Sequence, residues 1–173
     1  MYEDCTHATA HVKVHIEHTF AGISLADYET LYFDEDFNDA LGRALRLGRK
    51  LLHIERTSER VLRRVCYEPD RDPELQIDRA WGSTTASFIE ELDYDTRTHI
   101  GAWKTIPNRF ADRVTNAGTI ELAGVPGGTR RTVRGEVIVK LFGFGRIIER
   151  MIASEIEKSY VATTKFTNEW LRR

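Results

Sequence analysis

Cysteine is scarce. The 173 residues include only Cys5 and Cys66. Two thiols without tight spacing are poor evidence for a disulfide framework or a zinc site, so free thiols in a reducing compartment are expected. Long apolar runs are missing: no stretch approaches the roughly 18 apolar residues of a membrane span. The opening MYEDCTHATA has neither a basic n-region nor an apolar h-region. No signal peptide is expected from it, and the protein is expected to be cytoplasmic, soluble or peripheral. Charge of one sign is missing too. With 25 Lys and Arg against 27 Asp and Glu, the net charge is −2. That gives no electrostatic case for general nucleic-acid binding. No GxSxG motif occurs, so a serine nucleophile has no recognisable context. GFGR at 143–146 lacks the further glycine spacing and the Lys-Ser/Thr pair of a phosphate loop, and reads as a sharp corner from strand to helix.

What is present suits a globular fold. The hydrophobic fraction is 41% and the charged fraction 30%, which argues against disorder. One domain over 1–173 is expected, with 1–10 as a flexible tail. His11 to Phe20 alternates: Val12, Val14, Ile16, His18 and Phe20 share one face, and His11, Lys13, His15 and Glu17 the other. That is a half-buried strand. Ser24 is a candidate N-cap, with Asp27 in the first turn, for a short helix with Leu25, Tyr28, Leu31 and Tyr32 on one face. Asp34 or Asp36 starts a second helix, with Phe37, Leu41, Ala44 and Leu45 inward and Gly48 as its stop.

Strands follow. Lys50–Arg56 and Arg60–Glu68 form a hairpin, as do Ala86–Tyr94 with Thr98–Ile106 and Val114–Leu122 with Arg130–Phe142. The last two strands are joined by GVPGGT, which has strong turn chemistry at Pro126, Gly127 and Gly128. Pro69–Ser83, with Trp81, reads as a long loop, a kind that often serves as a lid or binding loop. From 144 to 173 the apolar residues Ile148, Met151, Ile152, Ile156, Tyr160, Phe166 and Trp170 recur at helical spacing. Such a helix reaches about 40 Å and needs a broad surface to cover. The expected architecture is therefore α+β: a curved antiparallel sheet of about seven strands, two short helices after the first strand, and one long C-terminal helix across the sheet.

This order resembles the helix-grip fold of the START and birch-pollen-allergen superfamily, SRPBCC, over about Val12 to Trp170. LADYETLYFDEDFNDALG resembles the two-helix opening of START-like and VASt-like lipid-binding families, where an aromatic–acidic stretch caps the cavity rim. Here that stretch is Leu31, Tyr32, Phe33, Asp34, Glu35, Asp36 and Phe37. GEVIVKLFGFGRIIERMIASEI resembles the last strand running into the grip helix in an uncharacterised bacterial branch. The resemblance implies a cavity between sheet and long helix. Members bind sterols, phospholipids, polyketides or plant hormones, and a minority catalyse cyclisation or dehydration. It supplies no universal catalytic residue, and the fold alone does not choose among these activities.

Four histidines, His7, His11, His15 and His18, crowd the start. On a strand, His11 and His15 lie about 13 Å apart and His18 faces the other way, so no metal site is expected. His18 shares the apolar face with Ile16 and Phe20, either as a satisfied core histidine or as a polar group reaching a ligand. Glu90 and Glu91 face opposite sides of their strand. In one register Glu90 is inward with Phe88, Leu92 and Tyr94; in the other Ile89 is buried instead. An inward Glu90 needs a partner, with Arg64, Arg63 and Lys104 the candidates. Trp103 shares a face with Gly101 and Thr105. The clusters Arg43/Arg46/Arg49, Arg60/Arg63/Arg64 and Arg130/Arg131/Arg134 read as solvated faces, with peripheral contact to anionic membranes as a further expectation.

The expected cavity residues are His18, Phe20, Glu90, Leu92, Tyr94, Lys104, Trp81, Trp103, Ile148, Met151 and Ile152, with the Trp81 loop and the GVPGGT turn as a gate. Neither cofactor nor metal is expected. The expected partner is a hydrophobic small molecule, lipid or sterol-like, held for transport or sensing. The alternatives are a polyketide cyclase or dehydratase-like enzyme using an inward acid such as Glu90, and a fully packed interaction module.

Overall fold

The computed structural model describes residues 11–69, 87–141, 143 and 145–173. The chain runs β1 (Val12–Ala21), α1 (Leu25–Tyr32), α2 (Glu35–Ala44), β2 (Leu47–Arg56), β3 (Arg60–Pro69), β4 (Phe88–Asp95), β5 (Ile100–Pro107), β6 (Val114–Val125), β7 (Gly128–Val139) and α3 (Gly145–Trp170). The seven strands form one antiparallel sheet in the order β1-β7-β6-β5-β4-β3-β2. β1 and β2 are thus the two edges, and α1 with α2 makes the connection between them. α3 packs against β1, β7 and α2. This is the expected helix-grip architecture.

Local chemistry sets the helix starts. The Ser24 Oγ accepts the Asp27 N–H at 3.2 Å, and Asp34 Oδ1 accepts the Phe37 N–H at 2.7 Å. Both are N-cap bonds that satisfy an otherwise orphaned donor. α2 ends earlier than expected. It stops at Ala44, Arg46 takes the left-handed conformation at φ 53°, and Leu47 already pairs with Pro69 in β2. Strand pairing, rather than Gly48, ends the helix. Ala44 is exposed, and the buried positions of α2 are Phe37, Asn38 and Gly42.

The GVPGGT segment is a tight turn between paired strands. β6 and β7 run on to Val125 and Gly128, leaving only Pro126 and Gly127 between them. Gly127 has φ +82° after Pro126, the geometry of a type II turn. Its carbonyl also accepts the Gly22 N–H at 2.8 Å. At the other corner Gly143 has φ +79°, and Gly145 packs so close to Val139 that an added Cβ would stand 2.5 Å from its carbonyl oxygen. This is the sharp turn from β7 into α3. The loop around Trp81 lies outside the described residues.

The core lies between the sheet and α3. Val14, Ile16 and Phe20 of β1, Val133 and Val137 of β7, and Ile120 and Leu122 of β6 are buried. Ile148, Ile152, Ile156 and Tyr160 pack onto this cluster from α3, together with buried Ala153. Each large apolar side chain so buried contributes about 1.5–3 kcal/mol. Phe166 and Trp170 do a different job. Their rings meet Phe37 at 5.9 and 5.5 Å and tie the far end of α3 to α2.

Candidate functional site

Strand alternation puts every second residue under α3, and the pairing register carries one inner row across the sheet. His18 pairs with Arg131, Arg131 with Leu122, Ile120 with Gly101, Tyr94 with Val61, and Leu92 with Arg63 and Trp103. Glu90 pairs with Val65 and Thr105 and lies in the same set as Leu92 and Tyr94. The open register at β4 is thus resolved with Glu90 inward.

Two arginines share this interior. Arg63 is 4% exposed, and its Nη2 meets Glu90 Oε1 at 3.3 Å. Its guanidinium also lies over the rings of Tyr32 and Phe33, at 5.2 and 5.6 Å. Arg131 is 2% exposed. It donates to the Tyr28 hydroxyl at 3.3 Å and to Thr164 Oγ1 at 3.1 Å, and lies over the rings of Phe20 and Tyr160 at 5.2 and 4.8 Å. Tyr28 and Tyr32 stand four apart on α1, on the face turned to the sheet, with Tyr28 stacked on Phe20.

Burial keeps the interior phenols neutral. It pushes Tyr28 up to about 12, against the opposing pull of Arg131. It likewise raises Tyr32, Tyr67 and Tyr160. For His18, burial and then the positive charge of Arg131 hold the imidazole below its ordinary value. At neutral pH it is therefore an uncharged donor and acceptor.

Several interior polar atoms are buried and have no hydrogen-bond partner among the described residues: His18 Nδ1, Arg63 Nε, Trp103 Nε1, Asn116 Oδ1 and Arg131 Nε. All five belong to inward-facing positions. Folded proteins leave few such groups, and each asks for a water or a ligand.

The expected site residues are only partly brought together. His18, Phe20, Glu90, Leu92, Tyr94 and Trp103 all lie on the inner face, and Ile148 and Ile152 pack onto the same core. Lys104 does not. Adjacent to inward Trp103, it points to the outer face and binds Glu91 at 2.7 Å, beside Arg64. Met151 does not join the core cluster either. At about 100° per residue it sits about 160° around α3 from buried Ala153. Trp81 falls outside the described residues. Tyr94 is inward, but its hydroxyl donates to Glu29 Oε1 at 2.6 Å, which His99 Nδ1 also contacts at 2.9 Å. That hydrogen bond satisfies Tyr94 from α1.

Arg131 is an inward residue that sequence reasoning misses, and Arg63 enters it only as one of three candidate partners for Glu90, because both belong to clusters that read as solvated faces. The signal is present: Arg63 lies between Val61 and Val65, and Arg131 between Thr129 and Val133, at the parity of the buried face. Their cluster neighbours do face outward, where Arg60 pairs with Asp93, Arg64 with Glu91, Arg130 with Glu17 and Arg134 with Glu121. Among the described residues, no three His, Cys, Asp or Glu side chains stand together as a metal site. No helix there is long and apolar enough to cross a membrane.

A family model described as a protein of unknown function, DUF2505, matches residues 83–171, just over half of the chain. No curated protein matches. Similar solved structures include TTHA0849 from Thermus thermophilus, at 14% identity and TM-score 0.63, with 91% of this chain and 95% of that one covered. The Zhui aromatase/cyclase from Streptomyces sp. R1128 aligns at 15% identity and TM-score 0.61, covering 94% and 95%. Protein Ms6760 from Mycobacterium smegmatis aligns at 13% identity and TM-score 0.63, covering 97% and 95%. At such identities these likenesses carry the fold alone. They bear out the helix-grip fold and do not single out a VASt-like branch.

Proposed function

The chain belongs to the DUF2505 family, and we propose that it binds a hydrophobic small molecule, lipid or sterol-like in its apolar bulk, between the sheet and α3. Moving apolar ligand surface out of water drives the binding. The carrying observation is the set of unpartnered polar atoms on the inner face, from His18, Arg63, Trp103, Asn116 and Arg131. Ordinary packing pairs such atoms; a binding site keeps them for its ligand's polar groups. Glu90, whose side chain is 25% exposed, keeps the interior in reach of water at one end.

The test is native mass spectrometry of the protein purified from its own host. A retained small-molecule mass that denaturation releases supports the reading. A bare polypeptide mass, with an interior that excludes added apolar probes, supports the packed-module alternative.

A second reading, a cyclase or dehydratase-like activity on a polyketide-type substrate, draws on inward Glu90. Glu90 accepts from Arg63 at 3.3 Å, an arrangement that suits it to accept a proton or hydrogen bond rather than to donate one. Turnover lost in Glu90→Gln with ligand binding retained separates this reading from simple binding.

A further inference from the structure

Among the described residues, Arg131 is a buried cation without a counter-ion. It is 2% exposed, and it donates to the neutral hydroxyls of Tyr28 and Thr164 at 3.3 and 3.1 Å. These bonds are longer than the roughly 2.7–2.9 Å of a bond to carboxylate. Its Nε has no partner among the described residues.

The acids of neighbouring elements are committed elsewhere. Glu90 of β4 meets Arg63. Glu29 of α1 accepts from Tyr94 and contacts His99. Glu17 of β1 lies on the outer face near Thr132 and Arg130. Glu149 of α3 accepts the Val139 N–H, eight residues further along β7, roughly 26 Å away. The interior around Arg131 therefore carries uncompensated positive charge, which is costly to bury.

We infer that the molecule held under α3 carries an anionic oxygen group of carboxylate type, which binds Arg131 beside His18. The inference rests on the interior binding proposed above. It sharpens the ligand class from a hydrophobic molecule to an amphiphilic acid. The geometry suits one such group. Phe20 and Tyr160 sandwich the guanidinium, and Tyr28 and Thr164 fix its two Nη atoms, so its direction is set before a ligand arrives. His18 is the cross-strand partner of Arg131, and its unpartnered Nδ1 supplies a further polar contact. The inner-face side chains Val133, Ile120 and Leu122 leave the rest of the ligand an apolar environment.

The experiment compares dodecanoate with dodecanol, equal in chain and different in charge, below their aggregation limits. Water solvates the carboxylate better, so only a cation inside the protein can reverse the order. The wild-type protein is expected to bind dodecanoate at least about tenfold more tightly than dodecanol, the scale of one charge-assisted bond. Arg131→Met is expected to remove that preference, and to keep or raise the thermal midpoint of the ligand-free protein, because it removes an unbalanced charge. Arg131→Lys, which keeps the charge, is expected to retain the preference. Equal binding of both probes by the wild-type protein overturns the inference and leaves the apolar pocket standing. So does a loss of both probes, with a lowered midpoint, in Arg131→Met, which makes Arg131 a strut between β7, α1 and α3. Failure of both probes to bind the wild-type protein contradicts the pocket itself.

Discussion

Arg63 and Glu90 face each other at 3.3 Å across β3 and β4, the cation 4% exposed and the acid 25%. They form an ion pair on the inner face of the sheet. Removing the acid alone strands a buried cation, which costs about 3–5 kcal/mol in a fully buried pair. Glu90 is partly wet, so Glu90→Ala is expected to cost less, about 1–3 kcal/mol in urea unfolding. Adding Arg63→Met is expected to recover part of that loss. Strict additivity of the two substitutions would show that the groups do not interact.

Trp103 lies on Gly135. A Cβ at position 135 would stand 2.6 Å from its Cζ2 and 2.9 Å from the Ala117 carbonyl oxygen. The backbone oxygen cannot yield, so the indole must move. Gly135→Ala is expected to destabilise by about 1–3 kcal/mol, as overpacking does, and to shift tryptophan emission. An unchanged midpoint together with unchanged emission would contradict this packing.

His18 predicts a pH dependence. Burial and Arg131 hold its folded-state value below the ordinary 6.5. The unfolded chain therefore takes up the proton first. The contribution is fully present above about pH 6.5 and is lost as pH falls from there through the lower folded value. The stability of the wild-type protein is expected to fall more steeply than that of His18→Gln between about pH 7 and 5. Parallel profiles would remove His18 from the account.

Trp170 anchors the far end of α3 through Phe37 and Phe166, at 5.5 and 5.9 Å. It is half-buried. Trp170→Ala is expected to cost about 1–2 kcal/mol, below the range for a full core truncation. Amide exchange should accelerate in the last turns of α3 and not at Val133 or Ile120. Uniform acceleration through the sheet would show that the helix end and the core open as one unit.

Period and capping make the architecture legible. The alternation of Val12 to Phe20 places His18 inward, and Ser24 and Asp34 cap their helices as their side chains require. Two expected cavity residues are misplaced: Lys104 follows inward Trp103 on a strand, where successive side chains face opposite sides, and Met151 sits about 160° around α3 from buried Ala153. Arg131 is hidden in the opposite way: clustered charge suggests solvent, while strand parity points inward. The end of α2 depends on a long-range fact, the pairing of Leu47 with Pro69, which no local preference of Gly48 encodes.

The central claim is that an apolar ligand lies between the sheet and α3. A methyl-labelled NMR titration with dodecanoate tests it most directly. The outward side of α3 offers a rival location, a shallow groove lined by Ser154, Glu157, Lys158, Val161, Ala162 and Lys165. The predicted result is shifts at Ile120, Val133 and Ile152 and at the Trp103 indole, with Val161 and Ile147 unmoved. Shifts confined to Val161 and Ile147, or none at saturating probe, would contradict it.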